Sequence, residues 1–144
     1  MAITHAVRIL EVFVGVWNTR GRIEPTQDTA EQLLVATDTY EWLPGKGFLL
    51  HRVDARLGDE VNRSIEVIGW NDAAGELFST SYDDKGSTAS FRCELAGYGW
   101  LIDGVGSRFR GGFDDDYKRL KGTWEMGANR NWQPWMEIEL TKAD

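Results

Sequence analysis

The sequence predicts an all-β chain: a single antiparallel up-and-down β-barrel of about ten strands with one short N-terminal helix. Three observations lead there. Short strand-like segments recur along the chain, separated by turn signals such as "PGKG", "NDAAG" and "DDKG". Helical periodicity is confined to the N-terminus. A meander this long must also deal with its two edges, and closure into a barrel abolishes them.

In order along the chain, Ile3, Val7, Leu10 and Val14 form an apolar stripe with Arg8 and Glu11 off it, so a short amphipathic helix is expected near residues 4 to 14. From Gly15 the period changes to two. Trp17, Thr19, Gly21 and Ile23 share one face of an extended segment, and Asn18, Arg20, Arg22 and Glu24 share the other. Further strands are expected in "LLVATDTYEWL", "FLLHRVDARL", "SIEVIGW", "ELFSTSY", "STASFRCEL", "WLIDG", "VGSRFRGGF", "YKRLKGTWEM" and "PWMEIELT". The turn signals between them include "GDEVN", "AGYG", "DDD" and "GANRN". Pro44 and Pro134 sit near strand ends, where ladder bonding tolerates them. Gly111, Gly112 and Gly122 fall inside strand-like runs, where a bulge or sharp coil is expected.

A chain of 144 residues, 42% of them hydrophobic, is one domain spanning 1–144 with material for a real core. Seven Trp residues ask for unusual room in that core. Lys and Arg number 16 against 23 Asp and Glu, a net charge of −7, which repels a phosphate backbone and argues against nucleic acid. Cys93 is the only cysteine, so an intrachain disulfide and a thiolate metal cluster are both excluded and a cytoplasmic location is expected. The opening "MAITHAVRILEVFVG" does not read as a signal peptide, and no stretch reaches membrane-spanning length.

The helix followed by Gly15-Val16-Trp17 resembles the start of calycins, the superfamily of lipocalins, fatty-acid-binding proteins and nitrobindin-like haem proteins. "YEWLPGKGFLLHR", "VIGWNDAAGELFSTSYDDKG" and "NWQPWMEIELTK" are similar to successive blocks of the bacterial family known as domain of unknown function 1579. The resemblance covers nearly the whole chain. It implies a calycin-like β-barrel with an enclosed pocket and no established reaction. A nitrobindin-like opening would run Gly, Trp, Gly, Gly at alternate positions; Gly15, Trp17 and Gly21 match, and Thr19 departs. Haem binding in that pattern also needs a proximal histidine late in the chain, whereas the last histidine is His51, so no cofactor is expected.

Candidate ligand-binding residues follow from the barrel reading. Trp17 fits best as a plug at one barrel end beneath the helix, with ligand contact as the alternative. Tyr40 and Trp124 are candidate pocket walls. His51, flanked on its own face by Leu49 and Val53, is either a satisfied lumen histidine or a general base. Ser81, Arg92 and Arg108 represent the polarity scattered along the strands, and an inward arginine, with Arg119 as a further candidate, would hold an anionic head group. Trp42, Trp100 and Trp135 fall at strand ends, where rims or partner contacts are common. Asp114, Asp115 and Asp116 read as turn carboxylates without calcium-loop spacing, so no metal is expected.

These observations predict a non-catalytic barrel for a small apolar or amphipathic molecule, anionic ones included. One alternative is a hydrolase or isomerase-like enzyme using His51 with a carboxylate such as Asp54 or Glu66. The other is a homodimeric interaction protein with a filled barrel. Runs apolar on both faces, Leu33 to Ala36 and Ile65 to Ile68, indicate an outer wall covered by the helix or by a second subunit.

Overall fold

In a computed structural model, which describes residues 3–128 and 131–143, the chain is a closed ten-stranded antiparallel barrel. The strands are β1 (Gly15–Ile23), β2 (Gln32–Trp42), β3 (Leu49–Leu57), β4 (Glu60–Asn71), β5 (Glu76–Asp83), β6 (Thr88–Ala96), β7 (Gly99–Asp103), β8 (Ser107–Phe113), β9 (Arg119–Ala128) and β10 (Asn131–Lys142). Each pairs with its sequence neighbours, and β10 returns to β1 with Trp17 opposite Lys142 and Ile23 opposite Met136. No strand edge is left open along that ladder, as the all-β barrel reading expects.

Two turns are tighter than the sequence suggests. "GDEVN" contributes only Gly58 and Asp59 to a two-residue connection, because Leu57 already pairs with Glu60 and Val61 with Arg56. In "GANRN", Gly127 and Ala128 belong to β9 and Asn131 to β10, while residues 129 and 130 lie outside the described residues.

The N-terminal segment is helical, in two pieces: a short turn at Ile3–Ala6 (α1), then a 3₁₀ helix at Val7–Phe13. The 3₁₀ pitch changes which face is buried. At three residues per turn, Val7, Leu10 and Phe13 eclipse one another, and all three are buried, whereas Ile3 at the start of the expected stripe is exposed. Phe13 therefore takes the place expected of Val14. Its ring packs at 4.9 Å from Tyr40, 4.8 Å from Trp100 and 5.1 Å from Phe113. This wedge closes one barrel end.

Trp17 completes the closure. Its indole Nε1 donates to the Phe13 carbonyl at 2.8 Å and its ring is 1% exposed, so an apolar surface and its one polar atom are both satisfied beneath the helix. Gly15, just before it, has φ +135°, a conformation closed to residues with a Cβ. The Gly-x-Trp opening is thus a hinge and a stopper.

The expected bulge at Gly111, Gly112 and Gly122 is absent: β8 and β9 run in unbroken register there, with Gly111 opposite Gly122, and the irregularity in β9 and β10 falls between Pro134 and Met136. The glycines instead admit the ring of Phe109. A Cβ on Gly111 would sit 2.6 Å from Phe109 Cζ, and one on Gly122 would lie 2.7 Å from Phe109 Cε1.

Trp100 is interior, not a rim residue, since its register neighbours Leu95 and Gly111 face the lumen with it. Trp42 packs beside the core and its Nε1 donates to Glu11 at 3.3 Å, whereas Trp135 at the bulge is partly exposed. The helix caps the barrel end and leaves Leu33, Val35 and Ile65 exposed on the outer wall. It is not their cover.

Candidate functional site: a charged floor in the barrel lumen

Lumen-facing side chains follow from strand parity and register. On β2, Asp38 and Tyr40 point inward; on β3, His51 lies opposite Tyr40; on β4, Glu66 lies opposite His51. Parity thereby collects two carboxylates and an imidazole on adjacent strands. His51 Nε2 meets Asp38 Oδ1 at 2.6 Å, and His51 Nδ1 meets Glu66 Oε1 at 2.9 Å.

Each carboxylate has a second support. Thr19 Oγ1 donates to Asp38 Oδ2, and Ser79 Oγ donates to Glu66 Oε2 at 2.8 Å. The Cys93 thiol in turn donates to Ser79 Oγ at 3.7 Å. Among the described residues no buried side-chain nitrogen or oxygen lacks a partner. The Tyr40 ring stacks on the imidazole at 4.0 Å between centroids and 9° between planes.

With both carboxylates ionised, the arrangement requires an imidazolium. A neutral ring has one N–H and one lone pair, so one of the two carboxylates would face a lone pair. Burial works against charge on His51, but hydrogen bonds to Asp38 and Glu66, with their negative charge, outweigh it and push the group up to about 9. Burial, reinforced by the same two carboxylates, holds the Tyr40 hydroxyl well above its ordinary value. Burial also pushes the Cys93 thiol up to about 12, leaving it without thiolate chemistry near neutral pH.

Above this floor lies a cavity of about 210 Å³, walled largely by Trp100, Phe109, Leu120, Trp124, Met136 and Leu140, with Tyr40, Asp38, His51 and Glu66 in its lining. The volume falls below the roughly 300 Å³ at which ligand pockets commonly begin, so any occupant is small. Side-chain exposures of 12% for His51, 8% for Asp38 and 13% for Glu66 show that the floor is reachable from the cavity.

Of the candidate ligand residues, Tyr40, His51 and Trp124 line this cavity. Trp17 lies outside the lining, in the capped end. Ser81 shares the inward parity of Glu66 but its hydroxyl turns to the Ala89 carbonyl at 3.5 Å, outside the cavity. The expectation of an inward arginine is corrected. Arg92 pairs with Glu76 at 3.2 Å, Arg108 with Glu125 at 2.7 Å while lying over the Trp132 ring, and Arg119 with Glu139 at 3.3 Å. All three belong to the outward parity of their strands, and neither Arg nor Lys lines the cavity.

Asp54 likewise points outward, to Arg63 at 3.4 Å, so only Glu66 of the two suggested carboxylates meets His51. Asp114 caps its turn by accepting from the backbone N–H groups of Lys118 and Arg119. Sequence reasoning missed Asp38, whose only signal was a carboxylate on the same face as Tyr40 and Ala36 in an otherwise apolar run. The residues do not fit haem. Both His51 nitrogens are engaged by carboxylates, and His5 sits exposed in α1.

Fold and site together define a closed ten-stranded antiparallel barrel with a partly open lumen and a polar floor. No family model matches the chain, and no curated protein matches it, so the likeness to domain of unknown function 1579 rests on the quoted sequence blocks. Among solved structures, Rv2717c from M. tuberculosis is similar, with a TM-score of 0.66 at 12% identity over 96% of this chain and 98% of that one. The S-type phycobiliprotein lyase CPES from Guillardia theta is also similar, with a TM-score of 0.59 at 8% identity over 100% of this chain and 98% of that one. At such identities the likeness is one of fold.

Proposed function

We propose that the protein binds one small, mainly apolar molecule in the barrel lumen without transforming it. The observation that carries this reading is the cavity of about 210 Å³, lined by indole, phenyl and aliphatic side chains and ending on the Asp38, His51 and Glu66 cluster. A filled barrel would leave no such space. The anionic form of the ligand loses its support, because no cationic side chain lines the cavity apart from an imidazolium already held by two carboxylates.

Acid–base catalysis is less well supported. With both nitrogens donating to carboxylates, His51 has no lone pair to accept a proton, and its position near 9 keeps it charged at neutral pH. Membership of the domain of unknown function 1579 family and a reducing, cytoplasmic setting belong to the same proposal, supported by the sequence blocks and by the lone buried Cys93. Self-association through the exposed apolar side chains Leu33, Val35 and Ile65 does too.

Titration with 2-phenylethanol, followed by tryptophan fluorescence, tests the binding reading. Saturable one-to-one binding is expected, and Ala55→Phe, which fills the lumen beside Val53, should abolish it while the protein still melts cooperatively. A linear, unsaturated response of the native protein to 2-phenylethanol and to 2-phenylethylammonium alike would sink the proposal.

A further inference from the structure

The floor of the cavity is complete in hydrogen bonds but not in charge. Asp38 and Glu66 bring two formal negative charges, and His51 brings one positive charge between them. No Lys or Arg lines the cavity to supply the balance. One uncompensated negative charge therefore remains against walls of low polarity, where water screens it poorly and its cost is high. Each carboxylate oxygen accepts a single hydrogen bond, from Thr19, His51 or Ser79, and so retains a lone pair for another donor.

The walls suit the same ligand chemistry. Tyr40, Trp100, Phe109 and Trp124 present aromatic surface to the cavity, and ring faces attract cations most strongly where water is excluded. An anion would meet repulsion from both carboxylates. A neutral molecule would fill the space and leave the charge as it stands.

We propose that the lumen is selective for a small cationic amphiphile, an aryl- or alkylammonium whose apolar body lies among the aromatic walls and whose ammonium donates to Asp38 and Glu66. This rests on the binding reading above and assigns it a ligand class. Binding brings the occupied floor to formal neutrality, as two carboxylates and two cations, so the occupied barrel is also the more stable one.

The test is an isosteric series on the native protein: 2-phenylethylammonium, 2-phenylethanol and phenylacetate, titrated by calorimetry at neutral pH and moderate salt. The amine should bind about tenfold or more tighter than the alcohol, a difference of about 1.4 kcal/mol, and phenylacetate should bind weakest. The amine should also raise the melting temperature most. In Glu66→Gln the gap between amine and alcohol should shrink, and Asp38→Asn serves as the second variant should the first fail to fold.

Because the chain carries a net charge of −7, the lumen-filled Ala55→Phe protein controls for amine attracted to the outer surface. Amine binding that persists unchanged in that variant overturns the proposal. Alcohol or phenylacetate binding as tight as the amine overturns it too, while leaving the binding reading intact. If none of the three saturates, both fail together.

Discussion

His51 holds its charge because a carboxylate meets each ring nitrogen, and that has a thermodynamic consequence for folding. In the unfolded chain an imidazole titrates near 6.5; in the barrel it titrates at about 9. The folded state therefore binds the proton more tightly. The resulting stability is fully present below about pH 6.5 and is lost as pH rises through about 9, with a total on the order of 3 kcal/mol. In His51→Gln the two carboxylates keep their burial and lose their cation, so this variant should be roughly 3 to 5 kcal/mol less stable at pH 6. Urea melts of both proteins between pH 6 and pH 9 should show that difference narrowing with rising pH. A difference that stays constant would mean that folding leaves the proton affinity of the imidazole unchanged.

The helical segment acts as a lid because of its pitch. With 3₁₀ geometry over Val7–Phe13, Phe13 enters the aromatic cluster of Tyr40, Trp100 and Phe113, and Val14 is left as the hinge into β1. Phe13→Ala should cost about 3 to 5 kcal/mol, in the range for a buried aromatic, and clearly more than Val14→Ala. Leu10→Asp should cost several kcal/mol by placing an unpaired carboxylate at a fully buried position. Glu11→Ala should stay within roughly 0.5 kcal/mol, since it removes only an exposed contact with Trp42. Chemical denaturation of the four variants checks the order. Equal midpoints for Phe13→Ala and Val14→Ala would indicate that the ordinary α-helical stripe, not the 3₁₀ face, makes the cap.

Across the whole molecule, closure sorts charge as well as hydrophobicity. Arg92, Arg108 and Arg119 lie on the outer wall in pairs with Glu76, Glu125 and Glu139, and the lumen keeps only the Asp38, His51 and Glu66 floor. Exposed pairs of this kind contribute little, so Arg92→Met and Arg119→Met should each change stability by less than about 1 kcal/mol. Arg92→Met, Arg108→Met and Arg119→Met should leave the affinity for 2-phenylethanol within about twofold of the native value. Fluorescence titrations beside thermal melts make the comparison. A large affinity loss in any one of the three would place that arginine in the ligand's path.

The strand count, the antiparallel meander, the N-terminal cap and the plugging role of Trp17 were all legible in the sequence, because turn chemistry and the two-residue period act over a few neighbouring residues. The same parity placed Trp17 with Thr19 and His51 with Leu49 and Val53. Parity alone carries no sign, however: it separates the faces of a strand without saying which one looks inward, and strands apolar on both faces withhold that answer. Register and closure supplied it. They turned Arg92, Arg108 and Arg119 outward and brought Asp38 and Glu66, 13 and 15 residues from His51 in sequence, against its two nitrogens. The charged floor belongs to three adjacent strands at once, and cross-strand neighbours are decided by pairing over the whole barrel, which no local stretch of sequence encodes.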